Sequence, residues 1–170
     1  MTEKFLIDSN SFITPYKRYY AFDLVPTYWE RLSEQTKTKR LILLDMVKQE
    51  IEKGNDELKG WITESQGFVI CKHVSPKIID KYGEVLRYVQ HCGLYKPEAL
   101  RTWSENDVAD PWLIAAAAVE GYTIITDEGP SGGLSRKTPN RAAKIPDVAK
   151  HFNVKTDNLF YMMRELGIRI

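Results

Sequence analysis

Four acidic positions lie far apart in this chain, and each falls where a predicted element ends or begins. They are Asp8 after Phe5-Leu6-Ile7, Glu50 in Asp45-Met46-Val47-Lys48-Gln49-Glu50, Asp110 in Ala109-Asp110-Pro111-Trp112, and the pair Asp127-Glu128 after Tyr122-Thr123-Ile124-Ile125-Thr126. Carboxylates are seldom buried together unless something cationic holds them. If one fold gathers these four, the expected occupant is a hard divalent cation, which prefers oxygen ligands. Taken singly, Asp8 and Asp127-Glu128 read as turns, Asp110 and Asp107 as helix caps, and Glu50 as an exposed helix residue. The combination carries the weight, because mutual repulsion among gathered carboxylates is costly when uncompensated. Mg²⁺ or Mn²⁺ removes that cost and supplies chemistry: it polarises a phosphoryl oxygen, activates a water and stabilises a leaving oxygen.

The elements that would position these residues alternate along the chain. Residues 4–7 read as a short buried strand ending at Asp8, followed by the turn and N-cap chemistry of Asp8-Ser9-Asn10-Ser11. Pro15 leaves residues 11–20 ambiguous. Pro26 opens a helix to about residue 37, with Tyr28, Trp29 and Leu32 on one side. Residues 40–44 form a second buried strand. Asp45 caps the next helix, whose Met46, Val47 and Ile51 share a face, and residues 67–72 read as a third strand. Helices are expected at 75–93, 97–103 and 108–120, the last rich in alanine and closed by Gly121. Residues 122–126 are another strand, 129–140 a mobile loop, and 148–152 and 156–166 are helical. The last of these is expected to bury Leu159, Phe160, Met163 and Leu166.

Strands alternating with helices predict an α/β fold with a mainly parallel sheet. In such sheets sites form outside the carboxyl ends of the strands. Asp8 and Asp127-Glu128 sit at those ends in sequence. Glu50 and Asp110 are expected in first helical turns, where the helix dipole favours a carboxylate. Asp110 reads as an N-cap with Pro111 at the first helical position, and Asp107 lies three residues earlier.

Bulk properties bound the rest. The chain has 170 residues, 43% of them apolar and 28% charged, which suits one domain with a real core. It contains no uncharged apolar run of about 18 residues, so no membrane span is expected. The start of the chain does not read as a signal peptide, and a cytoplasmic location is the expectation. Cys71 and Cys92 form no CxxC or zinc spacing and read as free thiols. The three histidines show no metal-ligand spacing. A net charge of +1 does not announce nucleic acid, so such binding needs a local basic patch. Three clusters are candidates: Lys17-Arg18 beside Tyr19-Tyr20, Lys37 and Lys39-Arg40, and Arg136-Lys137 with Arg141 and Lys144.

The ordered motifs carry a family resemblance. The chain resembles PIN-domain proteins, and more narrowly a toxin-type PIN-like branch catalogued as a domain of unknown function. Phe5-Leu6-Ile7-Asp8-Ser9-Asn10-Ser11-Phe12 is similar to the family's opening motif. Leu43-Leu44-Asp45-Met46-Val47-Lys48-Gln49-Glu50-Ile51 is similar to its second motif. Ala109-Asp110-Pro111-Trp112-Leu113-Ile114-Ala115-Ala116-Ala117 is similar to its third, and Ile124-Ile125-Thr126-Asp127-Glu128 to its fourth. The resemblance implies one three-layer α/β/α PIN-like domain over residues 1–170, with four to five mainly parallel strands.

It also implies a Mg²⁺- or Mn²⁺-dependent endoribonuclease, the toxin of a type II toxin–antitoxin pair. Asp8, Glu50, Asp110 and Glu128 would hold the metal, with Asp107 or Asp127 in support. Asn10 would orient Asp8 or its water. The family's fourth acid usually falls two residues after Thr, which favours Glu128 over Asp127. Arg18, Arg136, Lys137 and Arg141 are the candidates for the RNA backbone, with Tyr19 or Tyr20 for stacking. The implied partners are an RNA substrate, a cognate antitoxin and a second copy of the chain. That second copy would dock through the 159–170 tail or the Trp29 helix.

Rival readings are weaker. A haloacid-dehalogenase-type enzyme also begins with Asp after a strand, but it needs a second Asp where this chain has Asn10. An NTPase needs a Gly-Lys-Ser/Thr signature that the loop after Gly129 lacks. The rival of a different class is a catalytically idle PIN-like module that binds RNA or protein.

Overall fold

Phe5, Leu6 and Ile7 are apolar in succession and all three are buried, as in a strand covered on both faces. The computed structural model describes residues 1–170. The strands are β1 (Phe5–Ile7), β2 (Leu41–Leu44), β3 (Val69–Cys71), β4 (Thr123–Ile125) and β5 (Thr156–Asp157). They form one sheet in the order β3-β2-β1-β4-β5. β1 runs parallel to β2, with Phe5 opposite Leu41, and parallel to β4, with Ile7 opposite Ile125. β2 runs parallel to β3. The fold is α/β, as the alternation of elements predicts.

The chain divides into two compact units. The first comprises Met1–Lys72, Thr123–Asp127 and Asp157–Ile170; the second comprises His73–Tyr122 and Glu128–Thr156. The first unit holds β1 to β4 and the helices α1 (Asn10–Arg18), α2 (Pro26–Thr36), α3 (Asp45–Glu52), α4 (Glu57–Glu64) and α9 (Leu159–Glu165). Pro15 lies inside α1, so the ambiguous stretch is helical after all. Aromatic rings knit α2 and α4 together: Trp29 meets Trp61 edge to face at 4.9 Å, and Phe22 stacks on Trp29 at 4.4 Å.

The second unit holds α5 (Pro76–His91), α6 (Pro97–Trp103), α7 (Asp110–Glu120) and α8 (Ile145–His151). Ser75 caps α5 by accepting from the Ile78 N–H. α7 packs chiefly on α5, and its Ala115, Ala116 and Ala117 are buried. Gly121 ends α7 in the left-handed region at φ +77°, which an L side chain disfavours, and its N–H bonds Ala117 O. No helix is long and apolar enough to cross a membrane.

The cluster Lys39-Arg40 is structural. Arg40 donates to the backbone oxygens of Glu3 and Glu165, and Lys39 Nζ donates to Gly67 O. In the segments expected to dock a second copy, many apolar side chains are buried within the protomer. Leu159, Met162, Met163, Leu166 and Ile168 are buried in the protomer, as is Trp29, because each completes its own core. Phe160, expected inside, is exposed instead. Asn158 caps α9 by accepting from Tyr161 N–H, and in that phase Met162 and Met163 face inward.

Gly67 has a steric reason to be glycine. A Cβ there would lie 1.9 Å from Thr36 Oγ1 and 2.5 Å from Thr36 Cβ. Gly67→Ala is expected to cost about 1–3 kcal/mol by overpacking. Urea denaturation should show a lower midpoint with an unchanged slope.

Candidate functional site

The parallel register brings the ends of β1 and β4 side by side. Ile7 pairs with Ile125, and the Asp8 N–H donates to Ile125 O at 2.9 Å. The next residues, Asp8 and Thr126, therefore leave the sheet together at its carboxyl edge. Thr126 Oγ1 donates to Asp8 Oδ2 at 3.0 Å, and both residues are buried, Asp8 to 4% exposure. Ser11 Oγ donates to Ile125 O at 3.2 Å and ties the start of α1 to the same edge. Asp127, next in the chain, is exposed.

Asp127 borders a cavity of about 470 Å³ in the first unit, with Tyr19, Tyr20, Leu159 and Phe160 among its walls. The neighbouring Tyr28 phenol is fully buried and its oxygen has no hydrogen-bond partner. Burial pushes its pKa well above the usual tyrosine range, and the charges of Tyr20 and Asp127 push the same way.

The other predicted acids stand as follows. Asp45 is the first residue of α3, and its Oδ1 accepts from Met46 N–H at 2.9 Å. Glu50 is exposed and lies in the last turn of α3, not the first. With α3 starting at Asp45, residue 50 is already beyond the first turn. Asn10 is exposed at the first position of α1, and the hydroxyl that holds Asp8 comes from Thr126.

In the second unit, Asp110 is the first residue of α7 and half-buried, while Ala109 takes the N-cap position expected for Asp110. Asp107 is exposed just before that helix. Glu128 Oε2 accepts from the Ile145 N–H at 2.8 Å, at the start of α8, where an acid complements the helix dipole. Within neither unit do three or more His, Cys, Asp or Glu side chains gather as a metal-holding group.

The basic candidates divide likewise. Arg18 is exposed at the end of α1, directly before Tyr19. Arg136, Lys137 and Arg141 are exposed in the loop of the second unit. Sequence predicts that loop as mobile, yet it is tied at three points. Arg136 Nε donates to Cys92 O, Ser131 N–H donates to Asp147 Oδ2, and Asn140 pairs with Tyr95. Thr126 is the residue whose role sequence reasoning missed. Its signal was its fixed place in the apolar-Thr-x-acid motif.

The sequence matches the family described as Domain of unknown function (DUF4411) over residues 5–170. The chain belongs to the DUF4411 family. No curated protein sequence matches this DUF4411 chain significantly. Among solved structures it is similar to a chain of VapBC2 from Rickettsia felis, whose crystal structure is bound to a DNA fragment from its promoter. The identity is 15%, the match covers 91% of the DUF4411 chain and 97% of the other, and the TM-score is 0.54. At that identity the likeness concerns the fold alone, and it agrees with the α/β fold expected from the sequence.

Proposed function

We propose that the chain is a Mg²⁺- or Mn²⁺-dependent endoribonuclease, the toxin of a type II toxin–antitoxin pair, acting in the cytoplasm. The observation that carries this reading is Asp8. It is a buried carboxylate at the carboxyl edge of a PIN-like parallel sheet, held by Thr126 and followed across the strand pair by Asp127. The DUF4411 match and the likeness to a VapBC2 chain support it.

The donor chemistry fits a hard cation, since every candidate ligand is a carboxylate. Asp8, Glu50, Asp110 and Glu128 would hold it, with Asp107 or Asp127 in support. A divalent cation bound there supplies a polarised phosphoryl oxygen and a more acidic water. Thr126 fixes the Asp8 carboxylate by occupying one of its oxygens. In-line attack of water on the phosphodiester breaks the P–O3′ bond and leaves a 5′-phosphate and a 3′-hydroxyl. Arg18, Arg136, Lys137 and Arg141 would bind the RNA backbone.

One observation favours a second reading, that of an idle PIN-like binding module: the Glu128 carboxylate is engaged by the Ile145 amide. Thermal melting separates the two. Ligand binding to the native state stabilises it by mass action. The nuclease reading expects the melting temperature to rise with added Mg²⁺ or Mn²⁺, and single-stranded RNA to be cut to 5′-phosphate ends. No thermal shift with either metal, together with intact RNA, supports the idle module and overturns the nuclease.

A further inference from the structure

The cavity beside Asp127 has features that metal holding does not use. Its volume, about 470 Å³, falls in the range of small-ligand sites. Tyr19 and Phe160 line it and are 58% and 53% exposed, so two large ring surfaces stand open to water. Lys17 and Arg18, both exposed, immediately precede Tyr19. Open aromatic rings next to a cationic run are the pattern by which single-stranded nucleic acid is held: bases stack and phosphates are neutralised.

The polar groups of the cavity narrow the choice of base. Asp127 carries a carboxylate, which only accepts hydrogen bonds and offers two oxygens. A phosphate is repelled from it. Adenine and cytosine each set a ring-nitrogen acceptor beside their amino donor, so one carboxylate oxygen would face a lone pair. Uracil offers a single N–H between two carbonyls. Guanine alone presents two adjacent donors, N1–H and N2–H, with O6 next to them as an acceptor. Asn158 Oδ1 is committed to the Tyr161 N–H at 3.0 Å, which leaves its amide NH₂ as a donor. A carboxylate and an amide donor lining the same cavity match the donors and acceptor of the guanine edge.

We propose that this cavity is a guanine-selective base subsite for single-stranded RNA, in which Tyr19 and Phe160 stack on the base, Asp127 reads its N1–H and N2–H, and Arg18 takes a flanking phosphate. The proposal rests on the RNA-directed reading above. It assigns Asp127 to recognition and leaves the fourth ligand position to Glu128.

The test is fluorescence anisotropy on the full chain in EDTA, so that no cleavage intrudes. The probes are uridine pentanucleotides with a central guanosine, adenosine, cytidine or inosine. The guanosine probe should bind roughly tenfold tighter than the adenosine or cytidine probe, the scale of one bidentate contact. The inosine probe, which lacks the 2-amino group, should fall between. Tyr19→Ala and Phe160→Ala should each weaken the guanosine probe on the order of tenfold. Asp127→Asn should erase the preference for guanosine over inosine. Circular dichroism melting confirms that the exposed-site variants fold. Equal affinity for all four probes overturns the proposal, as do Tyr19→Ala and Phe160→Ala variants that bind like the parent. A chain that prefers guanosine yet cuts no RNA with Mg²⁺ fails the nuclease reading alone. A chain that cuts RNA but binds the four probes equally fails the subsite alone.

Discussion

Asp8→Asn is expected to abolish RNA cleavage while leaving the fold intact. The substitution keeps shape and volume, and the asparagine Oδ1 can still accept from Thr126 Oγ1. What it removes is the negative charge. Burying a charged group costs far more than burying its neutral isostere. At 4% exposure the asparagine can keep the hydrogen bond to Thr126, so Asp8→Asn should remain folded in EDTA. Added Mg²⁺ should raise the melting temperature of the parent but not of the variant, because only the parent gains stability from binding. In cleavage assays kcat/KM should fall by about 10³ or more, the scale reported for loss of one preorganised electrostatic partner. A variant that cuts RNA as the parent does would remove Asp8 from the mechanism.

Thr126→Val should separate positioning from metal holding. Valine preserves the volume of threonine and deletes only the hydroxyl that donates to Asp8 Oδ2. Removing one partner of a buried hydrogen bond costs about 1–3 kcal/mol in stability. Groups that orient metal ligands typically change affinity or activity about 10–100-fold when removed. The expected signature is a higher Mg²⁺ requirement and a lower kcat, with KM for RNA unchanged. Thr126→Ser, which restores the hydroxyl, should recover most of the activity. If Thr126→Val lowers stability but leaves the metal requirement and kcat unchanged, its hydroxyl is structural only.

The strand-end residues were legible because their signals are local. Three buried apolar residues before Asp8 and the buried Ile124-Ile125 before Thr126 mark strands covered on both faces, and parallel pairing then sets Asp8 beside Thr126. Helix phase was less legible. Glu50 was expected in a first turn, but with α3 starting at Asp45, residue 50 falls in its last turn. Phe160 was expected inside, but the Asn158 cap sets the start of α9 and turns Phe160 outward. The bond between Thr126 and Asp8 spans 118 residues, and no local pattern encodes it.

The measurement that tests the account most directly is a calorimetric Mn²⁺ titration of four proteins: the parent, Asp8→Asn, Asp110→Asn and the double variant. If Asp8 and Asp110 act in metal holding as proposed, either single variant should lose the binding seen in the parent. The double variant should then show no further loss, because groups that act as one unit are non-additive. Asp110→Asn binding Mn²⁺ as tightly as the parent, or a parent that binds none, would contradict the account.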